Sequence, residues 1–457
     1  MTALNMWMVS RFQMAHLRTS MFGYYLALAL RSLKRNPALT ALMIAAIGVG
    51  IGASMTTLSV FRAMSGDPIP DKSRQLYMVQ IDNWGPDKPD EKTEDDLEEN
   101  LSYIDAMEVS NLHAAKRLTR IYSAHSKVRS ENPKIKPVAA VVPAVDSDFF
   151  AMLSTPFKFG GPWSRSDDRQ ASPVVVISRK LNNQFFGGEN SVGKTLSLDG
   201  NSYRIVGVLD TWSVVPRFYN LRVQPYGQVD EIFIPFSRAI KTQTQVASGI
   251  ACKDPAAAGF EGLLKSECLW IQLWVELPTA ADVANFRTLL TNYAADQQHA
   301  GRFHWPAHTQ IRDVMQWLQY RHVVPNELGI LVLASFGFLL VCLLNAMALM
   351  LARIIVRSQD ISVRRALGAS RTAIIVQCLV ETAVIGALGA ALGLLLTLLG
   401  LTIMHAALAD EFAALSYLNA RAIGIEVIVA LIATIGAGLY PTWRAAQVQP
   451  ALQLKAE

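Results

Sequence analysis

The chain has 457 residues, of which 51% are hydrophobic and 17% are charged, and its formal net charge is +5. This composition excludes a disordered or nucleic-acid-binding chain, because both carry many more charged residues. The charges are segregated, which excludes a soluble enzyme and a many-helix transporter and indicates a folded domain attached to a few membrane spans. Four blocks contain no Asp, Glu, Lys or Arg: residues 38–61, 328–352, 382–409 and 427–443.

The distribution of positive charge predicts the membrane topology. Residues 1–37 contain five basic residues and no acidic one, and residues 353–371 contain five arginines and one aspartate. Short flanks rich in Lys and Arg stay in the cytoplasm, whereas long domains cross the membrane whatever their charge. Residues 62–327, with 29 basic and 31 acidic residues, are therefore expected outside. The predicted order is an interfacial cytoplasmic helix (1–37), a first span (38–61), an extracytoplasmic domain (62–327), a second span (328–352), a cytoplasmic loop (353–371), a third span (372–409), a short external loop (410–421), a fourth span (422–443) and a cytoplasmic tail (444–457).

The segment before the first span has the pattern of an amphipathic helix. Arg31, Lys34 and Arg35 lie opposite an apolar face, which is typical of a helix lying in the membrane surface. The alternative is an ordinary polar segment that precedes the first span. The apolar face consists of Phe22, Tyr25, Leu26, Ala29, Leu30 and Leu33. Pro37 follows at the junction, where proline is tolerated at the start of a helix. The first apolar block lacks a small-residue cleavage site at its end, so we predict an anchor and not a cleaved signal peptide.

The external segment is predicted to be mixed α and β, with one subdomain from both of its ends and one from its middle. Predicted strands are residues 75–81, 174–178, 195–198, 203–209 and 269–276, and predicted helices are 98–114, 180–186, 281–298 and 311–320. The turn at 199–201 predicts a hairpin between the third and fourth of these strands. Residues 211–268 give no clear pattern.

Two cysteines of the external segment form a candidate disulfide. Cys252 and Cys268 are an even pair in a compartment expected to be oxidising, and two buried free thiols are the alternative. No His, Cys or carboxylate spacing typical of a metal site or a catalytic set stands out. We therefore expect no catalysis, no metal and no cofactor bound by this chain.

One motif matches a nucleotide-binding pattern. Residues 188–195 read G-E-N-S-V-G-K-T, which satisfies the phosphate-loop pattern G-x-x-x-x-G-K-T. A working phosphate loop follows a strand and opens an apolar helix. Here a helix is predicted before the motif and a strand after it. The predicted topology also places the motif on the external side of the membrane, and ATP is scarce on that side. We therefore interpret the motif as a turn with a solvent-facing Lys194.

The cytoplasmic loop is predicted to contain a short helix with an unburied apolar face. Ser358 suits the cap of this helix, Asp360 its first turn and Gly368 its end. The apolar face consists of Val363, Ala366 and Leu367. A two-turn helix cannot bury this face against its own chain, so a protein partner is implied. A basic loop that only fixes the topology is the alternative.

Two features of the predicted spans concern the membrane interior. Glu381 is an ionisable residue in the third span, for which a polar contact to a neighbouring helix or snorkelling to the membrane surface is favoured over proton coupling. Gly48 and Gly52 in the first span, and Gly389 and Gly393 in the third, permit close approach of helices.

Residues 357–371, followed by the span that contains Glu381, resemble the FtsX-like and MacB-like permeases of ABC transporters. Residues 30–53, 186–209 and 440–454 agree with this resemblance, which extends over both membrane ends and the core of the external segment. It implies an α-helical membrane domain of four transmembrane helices plus a large mixed α+β extracytoplasmic domain with porter-like and sabre-like subdomains. It also implies that the short helix is a coupling helix that contacts a cytoplasmic ATPase. The contact residues would be Asp360, Ile361, Val363, Arg364, Arg365, Ala366, Leu367, Gly368 and Ala369.

The sequence departs from the MacB-like exporters in two respects. Those proteins carry a fused ATPase domain, whereas 37 residues precede the first span here, so we expect ATP and Mg²⁺ to be bound by a separate ATPase subunit. Asp360 and Ser362 occupy positions where Glu and Gly are expected, and the substrate of an exporter of macrolides or toxins is therefore not transferred.

The resemblance predicts a permease of the bacterial inner membrane, with both termini in the cytoplasm, that relays the motion of the ATPase to a periplasmic domain expelling a peptide, a small molecule or a lipoprotein. The alternative is an FtsX-like regulator of a cell-wall hydrolase. Expected partners are the ATPase, a second permease copy or paralogue, a periplasmic adaptor with an outer-membrane channel, and membrane lipid, but not nucleic acid.

Overall fold

The computed structural model describes residues 23–84, 97–131, 133–212, 214–222, 225–227, 230–247, 249–306 and 308–407, together with the single positions 424, 428, 432, 436 and 443. The predicted external loop 410–421 and cytoplasmic tail 444–457 lie outside these residues, as does most of the predicted fourth span. The described residues divide into a membrane unit, with residues 23–63 and 325–407, and a sheet unit within residues 64–324.

Thirteen helices and eleven strands occur in the described part of the chain. In order they are α1 (23–35), α2 (Pro37–Ser65), β1 (Leu76–Ile81), β2 (Leu101–Ser102), α3 (Tyr103–Asn111), β3 (Arg117–Ser130), β4 (Val138–Val145), α4 (Asp148–Met152), β5 (Phe157–Gly160), α5 (Arg165–Gln170), β6 (Val174–Ile177), α6 (Arg179–Phe186), β7 (Thr195–Leu198), β8 (Asn201–Leu209), β9 (Ile232–Pro235), α7 (Phe236–Lys241), α8 (Phe260–Leu264), β10 (Leu269–Glu276), α9 (Ala280–His299), β11 (Thr309–Asp313), α10 (Val314–Tyr320), α11 (Asn326–Val356), α12 (Ser358–Ala366) and α13 (Arg371–Ala407).

Three helices of the membrane unit are long and apolar enough to cross a membrane, among the residues described. They are α2, α11 and α13, with mean hydropathies of 2.0, 2.5 and 2.3 in their most apolar windows. Each is longer than the roughly 20 residues that a span requires. They overlap the first three predicted spans, and the five described positions at 424–443 are also helical.

Helix α1 packs part of its apolar face against the other helices of the membrane unit. Ala29 and Leu33 are buried, and Leu33 belongs to the same cluster as Met43 of α2 and Met350 of α11. Leu30 is 48% exposed, so the face is only partly covered. Interfacial lipid contact of this helix stays a prediction.

One sheet runs through the sheet unit in the strand order β11-β1-β10-β3-β4-β9-β6-β8-β5, with β2 on β10 and β7 between β3 and β8. Among the described strands, only the pairs β4–β9 and β6–β8 are parallel. Within this one sheet, the strands from the two ends of the segment lie together and those from its middle lie together; a division into two subdomains stays a prediction. The 14-residue strand β3 joins them, because it pairs with β10 over residues 117–121 and with β7 over residues 128–130.

Both faces of this sheet are covered by helices. Val175 and Ile177 of β6 belong to one hydrophobic cluster, and Val174 and Val176 belong to another, so the two clusters lie on opposite faces. Helices α3, α6 and α9 contribute to the first cluster, and α4 and α10 contribute to the second. Strand β6 is accordingly buried along its whole length, which explains its unbroken run of β-branched residues.

The structure corrects three details of the predicted elements. The helix expected at 98–114 spans only 103–111 and follows the short strand β2. The helix expected at 311–320 begins at Val314, because residues 309–313 pair with β1. The long hairpin β3–β4 was not predicted at all. Polar residues, Thr119 and Ser126, occupy buried positions of β3. The sequence therefore shows little of the hydrophobic periodicity by which a strand is predicted.

A buried carboxylate connects the end of β10 to the start of β3. Glu276 at the end of β10 is 1% exposed and accepts hydrogen bonds from Arg117 at 2.8 Å and Lys116 at 3.2 Å, with Lys72 at 3.9 Å. Burial opposes ionisation of this group, but the two hydrogen bonds and the charge of Lys72 outweigh it, and the pKa of Glu276 lies below its ordinary value.

We expect Glu276→Gln to destabilise the sheet unit by about 2 kcal/mol at neutral pH, since hydrogen bonds to a charged group are lost. A carboxyl group whose pKa is lowered by folding stabilises the fold above its unfolded pKa, and this contribution is lost as the pH falls through the folded pKa. The variant should therefore show a flatter loss of stability below about pH 4. Thermal unfolding of the chain in detergent across this range measures both effects. Glu231→Gln is the control, because its ion pair with the exposed Lys180 is worth less than about 1 kcal/mol; equal acid profiles for both variants would contradict the assignment.

Candidate functional site

The short helix α12 lies between the long helices α11 and α13 and presents exposed apolar side chains. Val363 is 54% exposed and Leu367, in the cap position after the last helical residue, is 83% exposed. No other large apolar side chain among the described residues is more exposed than Leu367. Ala366 is exposed as well, whereas Ser362 is buried. The arrangement leaves the apolar face that the sequence predicts open for a partner.

The end of α12 is fixed by a glycine turn. Gly368 has φ +100°, a conformation that side chains disfavour. Its N–H donates to Arg365 O at 3.1 Å, and the N–H of Ala369 donates to Arg364 O at 3.0 Å. These two bonds form a Schellman motif, in which a glycine in the left-handed region satisfies the last carbonyl groups of a helix. The turn then leads directly to Ser370, whose hydroxyl caps α13 by accepting from the N–H of Ala373.

The start of α12 differs from the prediction. The residue that precedes the first helical turn is Arg357, without a side-chain cap, and Ser358 is already the first helical residue. Asp360 and Ile361 lie in the first turn, as expected. The helix follows α11 so closely that Arg357 is the only residue between them, which leaves no extended residue for a serine cap.

A chain of polar contacts ties α12 to its neighbours. Arg364 Nη1 of α12 donates to Gln377 Oε1 at 3.0 Å, and Gln377 Nε2 lies 3.4 Å from Glu381 Oε1, both residues of α13. Glu381 Oε2 in turn lies 3.4 Å from Arg357 Nη1, which also donates to the hydroxyl of Ser32 in α1. Arg357, just before α12, and Arg364, near its end, thus each form a polar contact with a side chain of α13. This geometry places Glu381 in an ion pair with Arg357, in line with the polar-contact interpretation of this residue.

Three participants in this polar chain were not singled out from the sequence: Ser32, Arg357 and Gln377. Gln377 lies four residues before Glu381 on α13, so the two share one helix face, and this spacing was a usable signal. Ser32 gives no such signal, because it is 325 residues from Arg357 in the chain.

The glycines of the spans bring α2, α11 and α13 close together within this one chain. A Cβ atom added to Gly393 would lie 2.6 Å from Ile51 Cγ2, and one added to Gly48 would lie 2.8 Å from Leu392. Gly50 faces Cys342 of α11 in the same way, at 2.9 Å. Such separations are shorter than real side-chain contacts, so the glycines are required by the packing of α2 between its two neighbours.

The phosphate-loop match has no nucleotide-binding geometry. Residues 188–195 connect helix α6 to strand β7, the reverse of the strand-to-helix order that a phosphate loop requires. The N–H groups of Val192, Gly193 and Lys194 donate to Asn190 Oδ1, Ile205 O and Ser191 O and are not available to a phosphate. The Lys194 ammonium lies 5.3 Å from the ring centre of Phe186. The segment is a turn of the sheet unit.

The two external cysteines are joined in the structure. Cys252 and Cys268 form a disulfide across 16 residues, immediately before β10. The bridge lies beside the pairing of Ala251 with Leu269 and anchors this loop to the sheet. No group of three or more His, Cys, Asp or Glu residues able to hold a metal ion occurs among the described residues.

Two family models match the chain. The MacB-like periplasmic core domain matches residues 40–293, and the FtsX-like permease C-terminal region matches residues 332–450. The chain belongs to the MacB-like family of FtsX-like ABC transporter permeases. This MacB-like permease combines a helical membrane domain with a mixed α+β periplasmic domain, so that much of the predicted fold class is confirmed. Of the four predicted membrane helices, three lie in the described part of the permease. Permeases of this type are non-catalytic and typically work with ABC ATPases.

Curated relatives of the permease are macrolide export ATP-binding/permease proteins MacB. The protein of Pasteurella multocida is 24% identical over 363 residues, which cover 79% of this chain and 48% of the relative. The protein of Syntrophobacter fumaroxidans is 24% identical over 347 residues, or 68% and 46% of the two chains. The chain thus spans about half the length of the curated relatives it matches. A solved structure of the periplasmic region of MacB from Actinobacillus actinomycetemcomitans matches with 17% identity and a TM-score of 0.35, covering 55% of this chain and 94% of that one.

Proposed function

We propose that this permease is the membrane subunit of an ABC-type export complex that transmits mechanical motion. A separate cytoplasmic ATPase binds ATP and Mg²⁺ and presses on α12. The membrane helices carry this motion to the periplasmic domain, which expels a peptide, a small molecule or a lipoprotein. The complex contains a second permease copy or a paralogue and delivers to a periplasmic adaptor and an outer-membrane channel.

The observation that carries the proposal is the exposure of Val363 and Leu367 on a helix that is otherwise firmly attached. Apolar side chains clustered on an exposed helix face are typical of a docking surface. The bonds of Arg364 to Gln377 and of Arg357 to Glu381 mean that a displacement of α12 displaces α13 as well.

The packing of the spans supports the transmission step. Ile51 of α2 lies against Gly393 of α13, and Gly50 of α2 lies against Cys342 of α11. Close-packed interiors transmit displacement because they contain few voids into which side chains could move. Helix α2 leads along the chain into the periplasmic domain, and α11 returns from it. Motion of α13 therefore reaches both segments that connect the membrane unit to that domain.

Purification of the permease from its native host in mild detergent, without added partners, tests the proposal. We expect a separate ABC ATPase to co-purify with the permease. The preparation should hydrolyse ATP, and this hydrolysis should disappear when the ATPase is removed. Lys194→Ala, which removes the lysine of the phosphate-loop match, should leave hydrolysis unchanged. Hydrolysis by the isolated chain that is lost in Lys194→Ala would contradict the proposal. Co-purification of a cell-wall hydrolase in place of an adaptor would instead favour the FtsX-like regulator.

A further inference from the structure

A cavity of about 200 Å³ in the membrane unit is lined by an excess of positive charge. It lies between α1, the end of α11, α12 and the first turns of α13. We call it the arginine cavity; its charged lining residues are Arg31, Arg35, Arg357, Arg364 and Glu381. Among the described side chains, four guanidinium groups and one carboxylate thus line the cavity, and that carboxylate is paired with Arg357. Ile354 and Ile374 add an apolar part to the lining.

A fifth arginine beside this cavity is buried with part of its hydrogen-bonding capacity unused. Arg353 of α11 is 6% exposed, and its Nη2 donates to Ser32 O at 2.6 Å and to Ser32 Oγ at 2.9 Å. Its Nε and Nη1 are buried and have no acceptor among the described residues. Burial of charged donors without acceptors is costly, whereas a bound anion would satisfy them. Ser32 also accepts from Arg357, so Arg353 is joined to the arginine cavity through one hydroxyl group.

Apolar surface lies directly beside Arg353. A second cavity, of about 410 Å³, is lined by Arg353 together with Leu39, Pro37 and Val356. Val356 is 77% exposed at the end of α11, where a membrane-spanning helix meets the headgroup layer. The site therefore offers guanidinium donors and an open apolar wall side by side, which matches an amphiphile better than a small soluble anion.

We propose that an anionic glycerophospholipid binds at this place, with its phosphate headgroup between the arginine cavity and the unsatisfied donors of Arg353 and its acyl chains along the exposed end of α11. Arginine forks match phosphate oxygens in pairs, and basic pockets between membrane helices are suited to anionic headgroups. At about 30 Å³ for each water of the liquid, the cavity holds a small polyatomic group such as a phosphodiester. The inference does not depend on the proposed export function, because it requires only this end of the membrane unit.

Lipid titration of the full chain in detergent tests this site. Native mass spectrometry would count bound phosphatidylglycerol, phosphatidylcholine and inorganic phosphate. We expect phosphatidylglycerol to be retained and the other two not. Arg353→Gln and Arg31→Gln should each weaken retention about fivefold, the effect of one basic residue at an anionic surface. Arg371→Gln is the matched control, since it removes an exposed arginine at the first turn of α13 that does not line the cavity.

Each other outcome overturns the inference. Equal retention of phosphatidylglycerol and phosphatidylcholine would mean that the cavity does not recognise an anionic headgroup. Weakening by Arg371→Gln as large as that by Arg31→Gln would indicate general surface charge. Displacement of the lipid by inorganic phosphate at equal concentration would assign the cavity to a soluble anion. If Arg353→Gln does not fold, Arg31→Gln decides alone, because that side chain is exposed and its loss leaves the packing intact.

Discussion

The double substitution of Val363 and Leu367 by aspartate is expected to abolish association with the co-purifying ATPase. Central apolar anchors of an interface each contribute about 2 kcal/mol or more, which corresponds to roughly a thirtyfold loss of affinity for each residue. The aspartates additionally place negative charge in a contact that the partner is expected to cover. The measurement is the amount of ATPase retained after affinity purification, together with ATP hydrolysis in reconstituted vesicles.

The fold should be unaffected by this double substitution, because both side chains are largely exposed. Val192→Asp is the control, since Val192 is a 38% exposed apolar residue in the sheet unit. Full retention of the ATPase by the double variant, with an unchanged unfolding temperature, would show that α12 is not the coupling surface. Hydrolysis that continues while the ATPase is retained would point to the same conclusion.

Replacement of Gly393 by leucine is expected to disrupt the membrane unit. The first added carbon would lie 2.6 Å from Ile51 Cγ2, and the rest of the side chain would have to displace α2. Overpacking of a close-packed interior costs about 1–3 kcal/mol even for smaller additions. We expect little monodisperse protein in detergent and a clear fall of the unfolding temperature.

Gly337→Leu provides the matched control for this substitution. Gly337 lies in α11, and nothing is within 4 Å of a Cβ atom added there, so the same chemical change should be tolerated. A compensating pair makes the test sharper. Gly393→Ala should be destabilising alone and should be partly rescued by Ile51→Ala, since the second change removes Ile51 Cγ2, the atom that lies nearest to the new methyl group. Absence of any rescue would mean that α2 and α13 do not pack as described.

Much of the architecture was predictable because it follows from local patterns. A long run of residues without charges must be buried in the membrane or in protein. The spans α2, α11 and α13 could therefore be predicted from the positions of the charge-free runs. Strand β10 was predicted with its observed bounds, since aliphatic residues occupy every second position from Leu269 to Val275 and Trp270 and Trp274 lie between them. Gly368 likewise indicated the end of α12, because a left-handed residue after a helix is usually glycine.

Other elements had no local signal. Strand β3 has polar residues, Thr119 and Ser126, at buried positions and is held by β4, β7 and β10, so its conformation is decided by pairing with distant strands. The same holds for the start of β11, where pairing with β1 overrides a helical pattern that extends to Tyr320.

The candidate site shows the same division at the level of single residues. That α12 is short, amphipathic and unable to bury Val363 and Leu367 follows from local sequence, since helix length and spacing are local properties. The contacts of Glu381 with Arg357, 24 residues away, and of Arg353 with Ser32, 321 residues away, depend instead on how the helices pack in three dimensions. Contacts of this kind depend on how the glycines of α2 and α13 let the spans approach, and an interhelical distance cannot be read from the periodicity of either helix alone.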